Sequence, residues 1–75
     1  VLPKRDDPSF EEAAAWALIE GANEGNSRSA EIATDYKWGE PKLVPHIEAI
    51  LARARKENDE RTEELAERFL RKARG

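Results

Sequence analysis

His46 is the only imidazole in the chain, and imidazole is the side chain that most readily moves protons near neutral pH. Combined with Ser27 or Ser29 and with Asp35 it could supply the nucleophile, base and orienting carboxylate of a hydrolytic triad. Nothing in the spacing requires that grouping, and no oxyanion-hole signature accompanies it. One His and scattered carboxylates do not make a metal site. The absence of cysteine rules out thiol nucleophiles, thiolate zinc sites and disulfides. Gly21-x-x-x-Gly25 lacks the preceding strand and following Lys-Ser/Thr of a phosphate loop, and reads instead as the end of a helix. The expectation is a non-enzyme with no catalytic residue, no metal ligand and no cofactor.

The remaining chemistry is that of recognition. Between Asn23 and His46 the sequence uses Asn, Ser, Gly, Pro, Thr, Tyr, Trp and His. From Asp59 to Gly75 it is almost wholly Ala, Glu, Arg, Lys and Leu. Strong helix formers suffice wherever packing does not decide, so a departure from them answers turn geometry or a partner. Function, if the chain has one, is expected in the irregular segment. Trp16, Tyr36 and Trp38 are either core residues, the commoner fate of aromatics at helical spacing, or interface anchors.

Seventy-five residues with a net charge of −3 make one small domain, residues 1–75, with 1–6 as a short N-terminal arm. Equal hydrophobic and charged fractions of 39% fit a folded helical chain, because the apolar residues recur periodically. No apolar run reaches the length of a membrane span and no signal-peptide pattern opens the chain, so no membrane partner is expected. Val1 in place of Met suggests a removed tag or an excised domain. Acidic residues lead (Asp6, Asp7, Glu11, Glu12, Glu20, Glu24) and basic ones close (Arg68, Arg71, Lys72, Arg74), which suits helix dipoles.

Four helices and no strand are expected, an all-α, compact four-helix domain. The first opens at Asp7-Pro8 or at the capping box Ser9-x-x-Glu12, buries Phe10, Ala14, Ala17, Leu18 and Gly21, and ends by Gly25. Its run Ala13–Ile19 is apolar nearly all round, which marks a central helix. The second runs from Ser27 or Ser29 to about Tyr36 with Ile32, Ala33 and Tyr36 inward. The third carries Leu43, Ile47, Ile50, Leu51 and Ala54 and ends near Asn58. The fourth starts at Asp59 with Thr62, Leu65, Ala66, Phe69, Leu70 and Ala73 on one face. Proline is comfortable only in a first turn, so the third helix begins either at Pro41 or at Pro45.

Residues 29–43, from Ser29-Ala30-Glu31-Ile32-Ala33 through Tyr36, Trp38 and Gly39 to Leu43, resemble a helix-turn-helix DNA-binding unit. The places that carry the resemblance are Ile32, Ala33 at the helix crossing, Tyr36, Trp38 in the turn and Leu43 in the recognition helix. The family's turn glycine falls at Lys37, while the glycine present is Gly39. The resemblance implies a central helix-turn-helix made by the second and third helices, with duplex DNA as partner. Asn26, Ser27 and Arg28 would then meet a phosphate, and Glu40, Lys42, Val44 and His46, exposed at the start of the third helix, would reach base edges. Lys37 adds positive charge to that face and Arg53 would hold the backbone, while the acidic residues of the first helix would lie on the far side. In style, with no Met or Gln and a repetitive charged last helix, the whole chain also resembles computationally designed proteins. The alternatives are a helical mini-protein that binds another protein through the Tyr36–His46 surface, or a fold without a function. A monomer is expected.

Overall fold

The computed structural model describes residue 7 and residues 9–75, so the N-terminal arm lies outside the described residues. Four α-helices follow one another, α1 (Phe10–Asn23), α2 (Ser27–Thr34), α3 (Val44–Lys56) and α4 (Glu60–Arg74), with a 3-10 turn at Pro41–Leu43. No strand occurs among the described residues. The domain is all-α, as the periodicity predicts.

Helix α1 is the centre of the domain and touches every other element, as its nearly all-round apolar run requires. Its start is fixed by Asp7, whose carboxylate accepts the Ser9 N–H at 2.8 Å and the Ser9 hydroxyl at 2.7 Å. Ser9 is thereby engaged and forms no capping box with Glu12. Its far end is a Schellman turn: Asn26 N–H donates to the Gly21 carbonyl at 2.7 Å and Gly25 N–H to Ala22 at 3.1 Å. Gly25 supplies the positive φ, 72°, that this turn demands.

The three-residue turn folds α2 straight back onto α1. A Cβ on Gly21 would stand 2.7 Å from the Ala30 Cβ, so the two helices meet through their smallest side chains. That contact sets the rotation of α2. Ala30 and Thr34 are its buried residues, while Ile32 and Ala33 point to solvent, contrary to the expectation that both face inward. The helix also stops at Thr34, two residues short of Tyr36. Thr34 is fully buried, and its hydroxyl donates to the Ala30 carbonyl at 2.8 Å and accepts the Tyr36 N–H at 3.2 Å. Asp35 then takes a left-handed φ of 61° and the chain leaves the helix.

Both prolines of the next segment occupy first turns. Pro41 opens the 3-10 turn and Pro45 follows Val44 in the first turn of α3, where a missing N–H costs nothing. The choice between Pro41 and Pro45 is thus resolved by two successive starts, a tight turn and then the helix. Helices α3 and α4 form the most extensive helix pair. Asn58, at φ 57°, closes α3 with a second Schellman turn in which Asp59 N–H reaches the Ala54 carbonyl at 2.8 Å. Asp59 at once caps α4, accepting the Thr62 N–H at 3.1 Å and the Thr62 hydroxyl at 2.8 Å.

The core joins Leu18 and Ile19 of α1, Leu43 of the 3-10 turn, Ile47 and Ile50 of α3, and Leu65, Phe69 and Leu70 of α4. Trp16, Tyr36 and Trp38 are half-buried and pack against it. Trp38 meets Phe69 edge-on at 4.9 Å and Tyr36 leans on Phe10 at 6.1 Å. Gly39, at φ 90°, lets the loop lie against α4, where a Cβ would stand 2.9 Å from Lys72 Cβ.

Candidate functional site

Five of the residues named from the sequence line three separate hollows. Arg28 and Lys37 share a hollow of about 320 Å³ with Glu31, Ile32, Asp35 and Tyr36, on α2 and the loop after it. His46 and Arg53 line another, with Glu12 and Trp16 across from them on α1. Asn26 lies in a third, beside Glu20, Glu24 and Ser29. Ser27 is half-buried at the start of α2. Of the four residues expected to project from the recognition helix only Lys42 is exposed, because Glu40, Val44 and His46 are half-buried.

The reason lies in how the segment is turned. Leu43 is fully buried, and the 3-10 turn around it draws Val44 onto the core. The Glu40 backbone is engaged on both sides, its N–H donating to Lys37 and its carbonyl accepting the Leu43 N–H. The acidic residues of α1 are not on a far side either. Glu12 stands beside His46 and Arg53, and Glu20 and Glu24 stand beside the α2 N-terminus. The main partner of α2 is α1, and that of α3 is α4. The small residue at a helix crossing is Ala30 against Gly21, not Ala33.

The hollow on α2 has the clearest built features. Ile32 is 74% exposed and is the exposed large apolar residue among those described. Tyr36 forms the adjoining wall, half-buried. The floor is held by Glu31, whose carboxylate accepts the Trp38 N–H at 2.8 Å and so ties the loop back to the helix. Thr34 fixes the other side through Tyr36 N–H. An apolar side chain is thus presented on a rigid support between Arg28 and Lys37. The sequence placed Ile32 inside because one large apolar residue in an eight-residue helix normally faces the core. The signal for the true rotation was the small-residue pair Gly21 and Ala30.

His46 has neither Ser27, Ser29 nor Asp35 in its hollow, so the triad is not assembled. Among the described residues no three His, Asp or Glu side chains converge as metal ligands. No helix among them is long and apolar enough to cross a membrane. A further groove lies between α3 and α4, lined by Leu51, Arg55, Glu67, Leu70, Arg71 and Arg74. Compared with protein-family models, with curated proteins and with solved structures, the chain matches none.

Proposed function

We propose that this domain recognises a protein partner through the outer face of α2 and the loop that follows it. The observation that carries this is Ile32, 74% exposed on a helix whose other face is locked to α1. Burying an isoleucine that the fold leaves in water contributes roughly 1.5–3 kcal/mol to association. Tyr36 and Arg28 beside it are of the types enriched at interface centres. Helix α4, by contrast, is written almost wholly in strong helix formers.

Duplex DNA has less support from the same geometry. Phosphate binding at Asn26–Arg28 would place an anion next to Glu20 and Glu24, in a chain of net charge −3. Of the side chains meant for base edges, Glu40, Val44 and His46 are half-buried and Lys42 alone is exposed. The test sets the two partners against each other. The domain is offered a displayed protein library and a randomised duplex DNA pool, with Ile32→Asp and an Arg28→Ala/Lys42→Ala double variant as controls. Protein binders that lose most of their affinity with Ile32→Asp support the proposal. A DNA motif that the wild type enriches and the double variant does not, or protein binders indifferent to Ile32→Asp, would overturn it.

A further inference from the structure

We propose that the groove between α3 and α4 docks an acidic amphipathic helix of a partner protein. The groove shares no residue with the Ile32 hollow, so this surface is independent of the first. Leu51, half-buried, and Leu70, buried, supply its apolar lining. Because the helices run antiparallel through the Asn58 turn, the arginine one turn beyond each leucine lies at opposite ends, Arg55 at one and Arg74 at the other. The ion pairs confirm this order. Arg55 meets Glu63 at 3.0 Å and Glu67 at 3.8 Å near the turn, and Arg74 meets Glu48 at 2.8 Å at the far end.

Charge complementarity selects the occupant. Three guanidiniums and one carboxylate line the groove, in a chain that is acidic as a whole. Arg55 and Arg74 are held by carboxylates of their own domain, whereas Arg71, between them, forms no ion pair among the described residues. A helix dipole favours a cation in the last turn of α4 but does not require it to border an apolar floor. The groove therefore fits a helix with an apolar anchor over Leu51 and Leu70 and a carboxylate opposite Arg71.

The test follows amide chemical shifts of the isotopically labelled protein with two short capped peptides of identical leucine spacing. One carries Glu beside the leucines and the other Lys. The Glu peptide is expected to move the amides around Leu51, Leu70 and Arg71, and Arg71→Glu to weaken it by about tenfold, with Ile32→Asp without effect. Arg71→Gln, expected to weaken binding less, guards against a folding defect in the reversed charge. Equal binding of the Lys peptide, retention of affinity in Arg71→Glu, or no shift at about 1 mM Glu peptide overturns the proposal. Self-association of the wild type that Arg71→Glu abolishes would assign the groove to a second copy instead, and so overturn it too.

Discussion

Gly39→Ala separates two costs that glycines usually confound. Gly39 and Gly25 both sit at positive φ, 90° and 72°. An alanine at either meets the left-handed penalty, about 1–2 kcal/mol, partly offset by about 0.4–1 kcal/mol from a less flexible unfolded chain. Only Gly39 is also pressed against a neighbour. Its Cβ would meet Lys72 Cγ and stand 2.9 Å from Lys72 Cβ and 3.4 Å from Ala73 N, whereas nothing lies within 4 Å of a Cβ on Gly25. Pushing the loop off α4 adds an overpacking cost of about 1–3 kcal/mol. Gly25→Ala is therefore expected to cost about 1 kcal/mol and Gly39→Ala about 2–4 kcal/mol. For a domain of this size a 2 kcal/mol gap separates the two melting temperatures by about 8–16 °C. Urea and thermal unfolding followed by helical circular dichroism measure the gap, and Lys72→Ala, which removes Cγ but leaves Cβ, should narrow it in part. Equal losses for the two glycine variants would refute the close packing of the loop on α4.

Thr34→Val keeps the shape but removes a hydroxyl that donates to Ala30 and receives Tyr36 N–H, so stability should fall by about 1–3 kcal/mol in urea unfolding. Asp7 is held below the ordinary 3.8 by the Ser9 N–H and then the Ser9 hydroxyl, and Asp59 by the Thr62 hydroxyl and then its N–H. The unfolded chain binds these protons more readily, so their stabilisation is present above about pH 4 and is lost as pH falls through the depressed folded values; Asp59→Asn should flatten that acid limb. Ile32→Asp should change stability by no more than about 0.5 kcal/mol, because the side chain already lies in water, while removing partner binding.

The stripes of α1, α3 and α4 were readable because each has several large apolar residues at helical spacing, and such a pattern admits one buried face. The turns were readable where one residue type answers one backbone demand, as Gly25 and Asp59 do. Helix α2 was not. Its eight residues include a single large apolar side chain, too few to decide a rotation. The decision comes from tertiary contact, Ala30 packed so close to Gly21 that a Cβ there would stand 2.7 Å from its own, and a small–small contact leaves almost no trace in a hydrophobic pattern.

That one rotation also governs the choice of partner. Were Ile32 and Ala33 inward, α2 would lean on α3, and Arg28, Lys42 and His46 could share a face. With Ala30 and Thr34 inward, α2 belongs to α1, and the polar residues of the loop are drawn into holding it: Glu31 to Trp38, Glu40 to Leu43 and Lys37. What this rotation leaves outward is Ile32, in a hollow it shares with Arg28 and Lys37 and with Glu31 and Asp35. A phosphate backbone gains nothing from an isoleucine, whereas an apolar pocket on a protein gains its burial. On the proposed function, the segment that departs from simple helix formers has two separable duties, a corner that needs Gly39, Pro41 and Thr34, and a contact that needs Ile32. Variants of the first kind should destabilise the domain, and variants of the second should leave its stability unchanged and remove the proposed partner binding.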